Sequence, residues 1–322
     1  MMRRAIQTIR LIVLLLVAHA ASAQDYPNKP VRLIVPWPPG GISDTSARLL
    51  AQHLTPALGQ QILVDNRAGA GSTIGADLVA KAAPDGYTLL YTDVTAQAIN
   101  ATLYTRLAYD TVKDFTMITM VGASPLYLCL HPSLPARSVA ELIAVAKAKP
   151  GTINYASAGN GSTLHLAAEL FRSEAGINIV HVPYKGSGAA MGSLLSGEVI
   201  MIFSAAPPVL PHIRTGALRA LATTAPARTA VLPEVPAVAE TFPGFQIFIV
   251  NGLLAPAGLS PAIGAKLSAE VAKVLAKPEV KQRLETLGAE PKTSTADELG
   301  TFLKAESLRF GKLIRDTGTR AD

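Results

Sequence analysis

The chain has 322 residues, 49% hydrophobic and 5% aromatic, with one cysteine and a formal net charge of +6. That length and apolar content can bury a large core and suggest two lobes rather than one. A lone Cys129, set in the apolar run 126–130, excludes an internal disulfide framework, and no Lys/Arg cluster with interleaved aromatics marks a nucleic-acid surface.

The chain opens with Arg3, Arg4 and Arg10, a short apolar run at 11–18, and Ala21-Ser22-Ala23, a small-x-small pattern. Residues 1–23 therefore read as a secretory signal peptide cut before Gln24, the run being far shorter than the roughly 20 residues that span a bilayer. Its removal takes three arginines and no acid, lowering the charge from +6 to +3. The expected location is the periplasm. No cysteine follows the cut as a lipid-anchor signal, and no later apolar run is long enough to insert the mature chain in a membrane.

Val31, Leu33 and Val35 alternate with Arg32 and Ile34 as a short, mostly buried strand. Pro36, Pro38 and Pro39 forbid its continuation, and Gly40 and Gly41 permit backbone angles closed to other residues. Ser43 and Asp44 supply N-cap chemistry for a helix carrying Ala47, Leu50, Ala51, Leu54 and Leu58 at helical spacing. A strand, a bare glycine loop and a helix start together present free amides and a positive dipole end, a place for an anion.

Strand 61–66, loop 67–71, helix 72–83, turn 84–86 and strand 87–91, ending at Thr92-Asp93, continue the alternation. It predicts an α/β fold of parallel βαβ units with sites at strand C-termini. Strands follow at 115–121 and 126–131, then a helix at 138–149 with Ser138 and Glu141 spaced as a capping box. The opening device then recurs twice. Strand 153–156 leads through loop 157–161 to a helix capped by Ser162 and ended by Gly176; strand 179–183 leads through Tyr184-Lys185-Gly186 to helix 187–196. Strands at 198–203, 218–223 and 245–254, a short helix at 207–214, and helices at 261–276, 278–287 and 297–315 complete the reading. Gly/Pro-marked crossings near 122–125 and 223–226 divide the chain into one lobe of 24–122 plus 226–322 and another of 125–223, a hinge-closing architecture.

Other chemistries are poorly supported. Gly69-Ala70-Gly71 with Gly75 and Asp93 imitates a dinucleotide fingerprint, but its spacing is off by one. His165 and Glu169 stand four apart without a third ligand nearby, so neither a metal nor another cofactor is expected. No Gly-x-Ser-x-Gly elbow is present. Asp44 and Asp93 form a carboxylate pair only if the fold brings them together.

Several stretches, in order, carry a resemblance: Tyr26-Pro27-x-Lys29-Pro30-Val31-Arg32-Leu33-Ile34-Val35-Pro36, Pro39-Gly40-Gly41-x-x-Asp44, Asp65-Asn66-Arg67-x-Gly69-Ala70-Gly71, Ala82-Ala83-Pro84-Asp85-Gly86-Tyr87-Thr88-Leu89-Leu90, Val112-Lys113-Asp114-Phe115, Val182-Pro183-Tyr184-Lys185-Gly186 and Leu253-Leu254-Ala255-Pro256-Ala257-Gly258. The chain resembles the Bug or TctC-like solute receptors of tripartite tricarboxylate transporters. The resemblance implies a type II periplasmic binding protein fold, with two α/β lobes, a two-crossing hinge and a central cleft. It implies a monomer that captures a small carboxylate (di- or tricarboxylate, aromatic or amino acid) through amides, hydroxyls and water, and delivers it to membrane permease subunits. By motif match the expected ligand contacts are Trp37, Pro39, Gly40, Gly41, Ser43, Asp44, Thr92 and Asp93 on one side. On the other they are Ser157, Gly159, Gly161, Ser162, Thr163, His165, Tyr184, Lys185, Gly186 and Ser204.

Two departures stand out. Ile200 and Ser204 occupy positions that are usually acidic in relatives, and residues 246–251 lack their frequent tryptophan. A carboxylate missing at Ser204 favours, as a hypothesis, a ligand without an ammonium group; tight binding of aspartate with no binding of plain dicarboxylates would sink it. The residues leave open a secreted hydrolase in the same cleft, or a sensor input.

Overall fold

The computed structural model describes residues 26–321; the expected signal peptide lies outside the described residues. The first sheet opens as expected. β1 (Val31–Val35) is buried except at Arg32, whose Nε donates to Asp65 at 2.7 Å. It pairs in parallel with β2 (Ile62–Asn66) and β3 (Thr88–Asp93). Between them run α1 (Ile42–Leu58) and α2 (Thr73–Ala80), the latter after a one-turn 3-10 helix at Ala70–Ser72. α1 buries the five apolar residues read from its spacing. Its cap differs: the helix starts one step earlier, with Gly41 at the N-cap and no side-chain cap bond. Ser43 and Asp44 thus lie inside the first turn and serve other partners.

α3 (Val94–Leu103) was not legible, because eight of its ten residues are buried and leave no polar face to reveal the period. β4 (Phe115–Pro125) runs unbroken through the expected crossing at 122–125; the chain passes to the second sheet between Pro125 and β5 (Tyr127–Leu130). Gly122 serves the strand itself, since a Cβ there would lie 3.0 Å from the Glu290 carbonyl oxygen.

The second sheet contains β5, β6 (Asn154–Ser157), β7 (Val180–Pro183), β8 (Met201–Ser204) and β9 (Arg219–Thr223), in the order β7-β6-β8-β5-β9. α4 (Val139–Ala148) carries half of the expected box: Ser138 Oγ accepts from the Glu141 amide, but Glu141 Oε2 takes the Arg137 amide, one residue before the cap, instead of the Ser138 amide. α5 (Thr163–Ala175) and α6 (Ser187–Ser196) follow β6 and β7, and α7 (Ala206–Arg214) follows β8.

The return segment brings β10 (Phe248–Pro256), α8 (Pro261–Leu275), α9 (Pro278–Thr286), β11 (Glu290–Pro291) and α10 (Ala296–Thr317). β10 inserts antiparallel between β3 and β4, giving the order β11-β4-β10-β3-β1-β2. Both sheets are therefore mixed: β5 likewise pairs antiparallel with β8 and β9. The βαβ units give the parallel pairs, whereas a strand arriving from the other sheet needs no helical crossover. The fold is α/β with two sheets joined by two chain crossings, and its largest apolar cluster draws on both sheets.

Phe203 is fully buried beside Phe171, with ring centroids 5.8 Å apart. Phe203→Ala should lower unfolding free energy by about 3–5 kcal/mol in denaturant titration, through lost burial and the cavity left behind.

Candidate functional site

Three helix starts surround a cavity of about 190 Å3 between the two sheets. α1 approaches from the first sheet, α5 and α6 from the second. In α1 the first helical amide bond is Thr45 to Gly41, so the amides before Thr45 find no acceptor within the helix. In α5 Leu166 bonds to Ser162, and Ser162 Oγ takes the His165 amide at 3.2 Å, leaving Thr163 and Leu164 outside the ladder. In α6 Ala189 bonds to Gly186, leaving Ser187 and Gly188. Aligned dipoles and spare amides favour an anion at each start.

The cavity wall gathers nine of the residues expected from sequence: Trp37, Pro39, Gly41, Ser43, Asp93, Ser162, Thr163, Lys185 and Gly186. The two sides come very close. A Cβ on Gly41 would lie 3.9 Å from Ser187 Oγ, and one on Gly186 (φ +95°) only 2.7 Å from Pro38 Cγ. A Cβ on Gly161 (φ +79°) would lie 2.7 Å from Asn100 Oδ1. Thr163 Oγ1 donates to Asp93 Oδ2 at 2.6 Å, joining the start of α5 to the end of β3.

The other expected residues stand off this wall, for visible reasons. Gly40 (φ +90°) gives its amide to Asp44 Oδ2 at 3.0 Å. Asp44 is buried and faces Arg48 and Asn66, which bond its other oxygen. Burial raises its pKa, but the bonds from Arg48, Gly40 and Asn66 prevail and hold it below the usual carboxylate range. Thr92 is buried with Gln97 Nε2 at 3.4 Å. Ser157 Oγ is shared by His181 Nε2 at 2.7 Å and the Gly159 amide at 3.0 Å. Gly159 and Tyr184 line a second cavity of about 600 Å3, which shares Trp37, Pro38, Ala158, Lys185 and Gly186 with the first. Ser204 is buried, its Oγ donating to the Ala205 carbonyl. The carboxylate pair imagined from Asp44 and Asp93 is not built into the cavity, since only Asp93 reaches the wall.

His165 lies behind the second wall. Its ring stacks on His181 at 3.9 Å between centroids, 9° from parallel, and its Nδ1 faces the Gly161 amide at 3.4 Å. Glu169, its neighbour four residues on, is taken by Tyr155 at 2.6 Å and Arg172 at 2.6 Å. Among the described residues no group of three or more His, Cys, Asp or Glu gathers as a metal site.

Beyond Pro38 and Ala158, which fall within the expected contact stretches 37–41 and 157–163, sequence reasoning missed Ile42, Leu164, Ser187, Gly188, Ala189, Ala205 and Ile249 in the wall. Most adjoin a residue that was read, so a window widened by two at each helix start would have found them. Ile249 gave no signal, because only the placement of β10 beside β3 brings it there. The wall thus joins hydroxyls and spare amides to an apolar part built from Trp37, Ile42, Leu164, Ala205 and Ile249. Its charged side chains are Lys185 and Asp93. Burial pushes Asp93 up to about 7 against the lowering bonds from Thr163 and the amides of Ala96, Thr95 and Val250. Burial pushes Cys129, deep in β5, up as well.

A family model described as "Tripartite tricarboxylate transporter family receptor" matches residues 46–319. Protein BugT of Bordetella pertussis is 40% identical over 308 residues, covering 94% of each chain. The solved structure of R. palustris Rpa4515 with adipate is 34% identical with a TM-score of 0.88, covering 92% of this chain and 99% of that one. MatC from Rhodopseudomonas palustris with bound malate is 32% identical with a TM-score of 0.85, covering 90% and 100%.

Burial, with the His181 ring also acting on His165, lowers His165 from 6.5 to about 3 and His181 to about 4. The folded pair binds fewer protons than the unfolded chain, so its support for folding is intact above pH 6.5 and lost as pH falls toward 4. Thermal unfolding of wild type and His165→Asn/His181→Asn across that window should show a steeper acid-side loss in wild type; parallel curves would refute it.

Proposed function

The chain belongs to the tripartite tricarboxylate transporter receptor family, and on that premise we propose that it is a periplasmic receptor that closes on a small carboxylate and hands it to the permease of a tripartite transporter. The observation that carries the reading is the convergence of three helix starts, with their spare amides, on one cavity shared by two sheets. A carboxylate answers those amides without an arginine, and Lys185 adds the matching charge. Structural relatives with adipate and with malate support the ligand class.

Closure is a rotation of one lobe, residues 26–125 with 226–321, against the other, 126–223, about the two chain crossings; the first boundary falls at Pro125 rather than at 122 because β4 stays paired in the first sheet to its end. Each lobe supplies part of the wall, so only the closed form makes both sets of contacts, and ligand shifts the equilibrium toward it. Ligand contact is assigned to the nine expected residues on the wall, with the spare amides of α1, α5 and α6. The off-wall residues act as supports: Ser157 and His165 hold the 157–163 loop, and Asp44 holds Gly40.

A thermal-shift screen of di- and tricarboxylates, aromatic acids and amino acids tests this directly, since a ligand at about 100 times its Kd stabilises by about 2.7 kcal/mol. Gly186→Val and Gly161→Val, each placing a Cβ in the seam, should abolish the shift while circular dichroism reports a folded chain. A shift that survives both changes would place the ligand elsewhere.

A further inference from the structure

We propose that Asp93 and Thr163 form a proton relay that sets whether this wall turns a hydrogen-bond donor or a lone pair toward a bound carboxylate, so that ligand capture takes up one proton at Asp93. The inference rests on the carboxylate-receptor reading and goes beyond it.

Asp93 Oδ2 and Thr163 Oγ1 are 2.6 Å apart, both residues line the cavity, and both are almost fully buried. An ionised carboxylate only accepts, and a hydroxyl has one proton to give. With Asp93 ionised, the Thr163 proton is committed to Oδ2. The hydroxyl then turns lone pairs to the cavity, and a negative charge stands in a wall meant for an anion. With Asp93 protonated on Oδ2, the acid O–H donates to Thr163 Oγ1. The threonine proton is released to point into the cavity and meet a ligand oxygen. One proton, drawn from solvent and bound at Oδ2, therefore reverses the polarity of the hydroxyl and removes the repelling charge. The other oxygen, Oδ1, accepts from the Thr95 amide at 3.0 Å and stays in place through the exchange.

The surroundings leave Asp93 as the titrating group near neutrality. From α3 it meets the amides of Thr95 and Ala96, and from β10 that of Val250, while the next residue, Asn251, is held by Ser43 Oγ at 2.7 Å. From α1 the nearest acid, Asp44, points to Arg48 and Asn66. From α5, His165 lies beyond Thr163, faces His181 and Glu169, and is held neutral. Lys185, before α6, is the cation on the same wall. Burial places Asp93 at about 7, and an added ligand carboxylate would push it further up, which is the linkage that binds the proton with the ligand.

The test is calorimetric titration of the mature wild-type chain with adipate, whose own carboxyls are ionised above pH 6. It is run from pH 6 to 8 in two buffers of different ionisation heat. Proton uptake approaching one per ligand above pH 7 is expected, with affinity falling about tenfold from pH 6 to 8. Asp93→Asn sets an amide donor against Thr163. It should abolish proton uptake, flatten the profile and bind adipate more tightly than wild type at pH 8. Thr163→Val should weaken binding most at pH 6, and Thr163→Ser should restore the wild-type profile. Affinity without pH dependence or proton uptake in wild type, or a wild-type slope retained in Thr163→Val, overturns the relay and leaves the receptor reading standing. Should Asp93→Asn not fold, the Thr163 pair decides. If wild type binds none of adipate, malate or benzoate, the carboxylate reading falls and the relay with it.

Discussion

A helix begins with amides that its own ladder cannot satisfy, and this structure is arranged around that constraint. α1, α5 and α6 each follow a strand and a glycine-bearing loop, and each directs its first turn into the same space. Local capping uses only part of the supply: Ser162 takes one amide of α5, while Gly41 and Gly186 cap without side chains. The loops need glycine both for backbone angle and for clearance. At Gly186 a positive φ coincides with the approach of Pro38, so conformation and packing demand the same residue.

Support behind the walls is polar but self-contained. Asp44 spends its carboxylate on Gly40, Arg48 and Asn66, fixing the loop ahead of α1. Ser157, His181 and His165 do the same below the 157–163 loop, with His165 buried, His181 half-buried and both rings neutral. Glu169 is neutralised by Arg172, and Thr319, just after α10, reaches it at 3.2 Å. A thread therefore runs from the last helix, on the first sheet's side, to the helix that starts at the cavity.

Much of this was legible in the residues. β1, α1 and the two later copies of the strand–loop–helix device follow from apolar spacing and Gly/Pro punctuation, and nine wall residues from that device and the family motifs. What failed has physical causes. α3 is buried on nearly every side and shows no period. Ser43 and Asp44 looked like caps, but the helix begins before them and frees both for tertiary bonds. Apolar wall residues such as Ile249 and Ala205 are indistinguishable in sequence from ordinary core. They become part of a site only when distant strands are paired, and the antiparallel insertion of β10 is a three-dimensional fact that no local pattern announces.

Trp37 is the chain's single tryptophan, and it stands where the 190 Å3 cavity meets the larger one behind it. Its indole emission therefore arises wholly from the seam, undiluted by any second fluorophore of its kind. On the receptor reading, that places a label-free optical reporter at the edge of the cleft itself.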